Sequence, residues 1–104
     1  MRVLVVSSTE KGCESLCNLI VEHERRVDIT KCQSASQARR IILDSELDLV
    51  IVNAPLLDES GEELAVMVTQ QSLATSILVV KAEYFEQEQA LYCDQGVLVV
   101  SKPV

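Results

Sequence analysis

A chain of 104 residues holds one domain with room for a real, though not generous, core. Its 48% hydrophobic content excludes a disordered segment. The net charge of −7 speaks against nucleic-acid binding, because no basic face is available to release counterions from phosphates.

The chain opens on Met1-Arg2-Val3-Leu4-Val5-Val6, an apolar run too short for a signal-peptide core and without a small-residue cleavage site. No run approaches the roughly 20 residues that span a bilayer, so the expected setting is the cytoplasm. Cys13, Leu16, Cys17 and Ile20 then recur at helical spacing, which predicts a first helix with one apolar face. Two thiolates four apart are able to share a metal, but the simpler reading makes Cys13 and Cys17 small apolar residues of a buried face. Cys13, Cys17, Cys32 and Cys93 contain no CxxC pair, and cytosolic thiols stay reduced. The lone His23 falls in the polar run Glu22–Arg26 and reads as an exposed helix end.

A weaker and more polar run, Val27–Ile29 with its flanks, predicts an edge strand. The second helix opens with Ser34-Ala35-Ser36-Gln37, at the spacing of a capping box, and carries Ala38, Ile41 and Ile42 on one face. Leu49–Val52 is the third strand. Ser60-Gly61-Glu62-Glu63 opens the third helix, whose apolar face is Leu64, Met67 and Val68; Asp58, Glu59, Glu62 and Glu63 gather where the helix dipole favours acids. Ile77–Val80 is the fourth strand, Glu83 to Asp94 the least regular helix, Gly96 its stop, and Val97–Val100 the fifth strand.

Four of the five runs are almost continuously apolar, as strands buried on both faces of a parallel sheet are. Strand and helix alternate as βαβαβαβαβ, which predicts an α/β doubly wound, flavodoxin-like fold of strand order 2-1-3-4-5 with Val5, Val50, Val52, Leu78 and Val80 at its centre. Residues 1–104 form one domain in this reading. A fifth helix, which usually follows the last strand, is missing.

Ligands in such sheets bind beyond the carboxyl ends of the strands. The residues arriving there are Ser7 and Ser8, Asn53, Lys81, and Ser101-Lys102-Pro103. With Val3–Ser8, Asp48–Asn53 followed by Ser60-Gly61, Leu78–Ala82 and Val100–Pro103 in this order and spacing, the whole chain resembles the receiver domains of two-component response regulators, of the chemotaxis-protein type. The resemblance implies a phosphoacceptor Asp after the third strand, paired acids after the first that hold Mg²⁺, a Ser or Thr after the fourth, and a switch aromatic in the fifth. Here those positions are Asn53, Ser7 and Ser8, Lys81, and Val99. Lys102, Pro103 and Ala82 match the family.

Mg²⁺ wants carboxylates and an amide is a poor nucleophile, so neither metal nor acyl phosphate is expected. The expected function is a non-phosphorylatable pseudo-receiver, not an enzyme, that needs no cofactor and signals through protein partners or as a homodimer. Three alternatives stand beside it. An anion or metabolite is sensed at the Lys81/Lys102 edge; Asp58 is phosphorylated instead; or these are surface residues of a retired site. An ammonium at Lys81 would fill the former metal space and donate to Asn53 or Ser8. An unrelated flavodoxin-like enzyme is disfavoured, as no Gly-rich phosphate loop and no nucleophile–base pair are present. The Ser-Ser start and Ser-Lys-Pro end resemble receivers that carry RNA-binding antiterminator (ANTAR) output domains. The reading is then of a domain excised from a longer regulator with a C-terminal output region. On a sheet lacking its last helix, apolar atoms of strands one, three, four and five are expected to stay partly exposed and to drive self-association.

Overall fold

The computed structural model describes residues 1–103. Their elements are β1 (Arg2–Ser7), α1 (Glu10–His23), β2 (Asp28–Cys32), α2 (Ala35–Asp44), β3 (Leu49–Asn53), α3 (Gly61–Gln71), β4 (Thr75–Val80), α4 (Phe85–Tyr92) and β5 (Val97–Ser101), with single 3₁₀ turns at Ala82–Tyr84 and Cys93–Gln95 flanking α4. The five strands form one parallel sheet in the order β2-β1-β3-β4-β5. This is the doubly wound arrangement that the apolar runs predict. Val5, Val50, Val52, Leu78 and Val80 are all buried at its centre.

Alternation along the strands sorts the core into two layers. Leu4, Val6, Val50, Val52, Leu78, Val80 and Val97 face α2, α3 and the half-buried Phe85 and Tyr92 of α4. Val3, Val5, Ile51 and Val79 face Cys13, Leu16 and Cys17 of α1. The two cysteines are therefore part of the apolar face of α1, as their spacing suggests.

Ser34 and Ser60 cap α2 and α3 by accepting the backbone N–H of Gln37 and Glu63, both at 3.2 Å. The returning half of each capping box is absent. The Gln37 side chain reaches the N–H of Gln33, and Glu62 accepts the Ser60 hydroxyl. Gly96 ends the turn after α4 in the left-handed region, φ 83°, where a side chain would be strained.

Three expectations need correction. The second strand is at the edge as expected, but its bounds are Asp28–Cys32, shifted from Val27–Ile29 into the C-terminal flank; pairing of Arg2 to Val6 with Asp28 to Cys32 sets it, and an edge strand tolerates the polar Thr30 and Lys31. The acids before α3 do not simply serve its dipole. Asp58 accepts the N–H groups of Ala35 and Ser36 at the start of α2, both at 3.0 Å, and Glu59 pairs with Arg39 of α2 at 3.2 Å. The exposed apolar surface is also smaller than expected. Val3 and Val5 of β1 are fully covered by α1 and Ile51 of β3 nearly so; on the α1 face of β3, β4 and β5 the exposed apolar residues are Leu98, at 57%, and the half-buried Leu49, Ile77 and Val100.

Candidate functional site

Parallel pairing brings the carboxyl ends of β1, β3, β4 and β5 to one edge. Ser7 lies opposite Asn53, Asn53 opposite Val79, and Val80 opposite Ser101. Lys81 and Lys102 are the next residues outward on β4 and β5. Ser7, Ser8, Asn53, Lys81 and Lys102 thus reach the same edge, as the sequence implies.

The edge is knitted by its own side chains. Asn53 Nδ2 donates to Ser7 Oγ at 3.1 Å, and the fully buried Ser7 hydroxyl donates to the Thr9 carbonyl at 3.1 Å. Ser8 Oγ lies 3.4 Å from the Pro55 carbonyl it donates to. Lys102 Nζ donates to the Ala54 carbonyl at 2.7 Å, a long-range bond that ties the end of β5 to the loop after β3. Partial burial, and next the charge of Lys81, hold the Lys102 ammonium below its usual pKa.

One contributor escapes a reading by motif. A Cβ at Gly12, in the first turn of α1, would sit 2.8 Å from each of Asn53 Nδ2, Ser7 Oγ and Thr9 Oγ1. The missing side chain lets α1 settle directly on the Ser7–Asn53 pair. A glycine inside a helix, where it costs about 0.5–1 kcal/mol against alanine, was the available signal.

Lys81 departs from expectation. It is exposed, forms no hydrogen bond to Asn53 or Ser8 among the described residues, and lines a cavity with Ala54, Pro55, Glu62, Val80, Tyr84 and Glu88. Lys102 and Pro103 instead line a groove with Asn53, Val79, the α1 cap Thr9 and the α1 residues Lys11, Gly12, Ser15, Leu16 and Leu19. The two ammonium groups feel each other but serve different hollows. Val99 is half-buried and packs into the layer that contains Phe85 and Tyr92.

The donor set does not fit Mg²⁺. Ser7 and Ser8 supply neutral hydroxyls already engaged with protein carbonyls, and Asn53 turns its NH₂ toward Ser7. A hard dication wants carboxylate oxygens at such a site. Among the described residues no three His, Cys, Asp or Glu side chains are grouped to hold a metal.

No family model matches the sequence. The sensory transduction protein LytT of Enterococcus faecalis is 28% identical over 82 residues, which are 79% of this chain and 34% of LytT. The chain therefore spans about a third of the length of this curated relative. The crystal structure of the signal receiver domain of an HD domain-containing protein from Pseudomonas fluorescens superimposes with a TM-score of 0.81 at 27% identity, covering 98% of this chain and 75% of that one. A response regulator receiver domain protein from Clostridium thermocellum gives 0.84 at 16% identity, over 99% and 82%.

The fold is that of a response-regulator receiver domain. Within it, Asn53 ends β3 at the carboxyl edge of the sheet, opposite Ser7 of β1. No helix among the described residues is long and apolar enough to cross a membrane.

Proposed function

We propose that this receiver domain is a cytoplasmic pseudo-receiver, a non-enzymatic module that signals through protein contacts in the control of gene expression without accepting a phosphoryl group. The observation that carries this reading is the closed Ser7–Asn53 pair under Gly12. A working receiver would need an ionised nucleophile and room for a metal; here an amide and a hydroxyl satisfy each other, and α1 rests on them. Phosphoryl transfer depends on metal and positioning together, so loss of the acids removes both.

Asp58 does not replace the acceptor in this reading. Both of its carboxylate oxygens take backbone N–H groups of α2, and those bonds hold its pKa below the usual carboxylate value. An ANTAR-type or other output region, and pairing of two copies through the exposed Leu98 strip, belong to the same proposal. With the net charge of −7, the domain itself makes no direct contact with nucleic acid in this reading.

The test is incubation with acetyl phosphate and Mg²⁺ followed by intact-mass spectrometry. The parent chain and Asn53→Asp alone should gain no phosphoryl group. A chain with Ser7, Ser8 and Asn53 all changed to Asp and Lys81 to Thr regains the chemical requirements and should gain one. A phosphoryl adduct on the parent chain would end the pseudo-receiver reading, and its mapping to Asp58 would establish the alternative acceptor.

A further inference from the structure

The hollow that Lys81 lines is separate from the closed pair, and its chemistry is unusual for a free surface. It has a volume of about 290 Å³, an apolar lining from Ala54, Pro55 and Val80, and carboxylates from two different helices, Glu62 of α3 and Glu88 of α4. Tyr84, half exposed, forms part of its wall. Among the described residues neither Glu62 nor Glu88 has an ion-pair partner, and Lys81 pairs with no carboxylate. The negative field is felt inside the hollow. Partial burial, and next the charge of Glu62, hold the Glu88 carboxyl above its usual pKa. The Tyr92 phenol is raised as well, by burial first and then by Glu88, Glu62 and Glu63. Further acids, Glu83 and Glu86, stand exposed on the same segment.

Two carboxylates that face one hollow from separate elements repel each other and add nothing to the stability of the free domain. A cation placed between them removes that cost. An arginine side chain suits the geometry best: its flat guanidinium can engage two carboxylates and lie against a tyrosine ring, while its methylenes cover an apolar floor. We propose that the α3–α4 hollow docks a basic segment of a partner protein, with an arginine entering between Glu62 and Glu88 against Tyr84. Charge complementarity selects this occupant; nucleic acids and anionic membranes are repelled by the same acids. Lys81 is then the built-in competitor. Its ammonium shares the hollow with the incoming cation and weakens the interaction, so the residue that departs from the receiver pattern tunes the affinity of a neighbouring surface. This proposal does not depend on whether the Asn53 edge accepts phosphate.

The probe is a blocked peptide of sequence Ala-Leu-Arg-Ala-Leu-Arg-Ala, titrated into the ¹⁵N-labelled chain at physiological ionic strength, where unspecific attraction is screened. Saturable amide shifts should centre on Ala54, Glu62, Lys81, Tyr84 and Glu88. Replacing both arginines by citrulline, a neutral analogue of the same shape, should abolish them. The E62Q/E88Q variant should bind about five- to tenfold more weakly, as loss of two half-exposed ion pairs implies, and Lys81→Thr should bind about two- to threefold more tightly. Shifts scattered over all acidic surfaces, equal binding of citrulline peptide, or unchanged affinity of E62Q/E88Q would each overturn the proposal. Should the double variant misfold, Glu88→Gln alone serves, since Glu88 lies on the sparsely packed α4, and unchanged affinity there counts against the proposal equally.

Discussion

Replacing Gly12 by alanine sets two effects of known sign against each other. Helix propensity favours the substitution by about 0.5–1 kcal/mol. The tertiary structure opposes it, because the new Cβ would stand 2.8 Å from Asn53 Nδ2, Ser7 Oγ and Thr9 Oγ1 at once. Thr9 caps α1 by accepting the Gly12 N–H at 3.1 Å, and losing such a cap costs about 1 kcal/mol. Ser7 is fully buried, so breaking its bond from Asn53 leaves a buried polar group poorly satisfied, at about 1–3 kcal/mol. The balance is a destabilisation of about 1–3 kcal/mol, opposite in sign to the propensity scale. Urea unfolding followed by circular dichroism measures it, and the cycle with Asn53→Ala assigns it: once Asn53 is shortened, Gly12→Ala should cost less by about 1 kcal/mol. A neutral or stabilising Gly12→Ala would refute the close approach of α1 to the site.

Asp58→Asn should lower stability at neutral pH by weakening the cap on α2. The folded carboxyl lies below its ordinary value of 3.8, so its contribution is present above that pH and is lost as pH falls through the folded value; the gap in urea midpoint between parent and variant should therefore shrink as the pH is lowered stepwise below 3.8, and a gap that stays constant through the acid range would count against the assignment. Sedimentation of the 104-residue chain should show concentration-dependent association that Leu98→Lys abolishes, since Leu98 is the most exposed part of the apolar strip; a strictly monomeric parent at high micromolar concentration would sink the self-association reading. A disulfide reagent at pH 7.5 should label the exposed Cys93 well before the buried Cys13, Cys17 and Cys32, the last of which burial pushes up to about 11; rapid reaction of Cys13 or Cys17 in the folded chain would contradict the packing of α1 on the sheet.

Much of this molecule was written in local pattern. Runs such as Val3–Val6 and Leu49–Val52 have no polar side to turn to water, so they demand cover on both faces, and a parallel sheet between helices is the arrangement that supplies it. The Cys13, Leu16, Cys17 spacing, the caps Ser34 and Ser60, and the stop at Gly96 each act within a few residues, so sequence alone places them. Strand ends follow from strand positions, and for that reason the sequence alone assigns Ser7, Asn53, Lys81 and Lys102 to one edge.

What each of these side chains does at the edge was decided by the tertiary structure. Asp58 sits beside α3 in the chain yet caps α2, because the loop after β3 passes the start of that helix, 22 and 23 residues away in sequence. Lys102 and Lys81 are adjacent in the sheet order, but one reaches inward to the Ala54 carbonyl and the other lines the hollow between α3 and α4. Gly12 carries no chemistry of its own and matters only through the atoms that a Cβ would strike. Short-range periodicity fixes which face a residue is on and at which end of the sheet it emerges; partner choice among groups far apart in sequence depends on how elements approach one another, to within about an ångström, and that distance is set by packing.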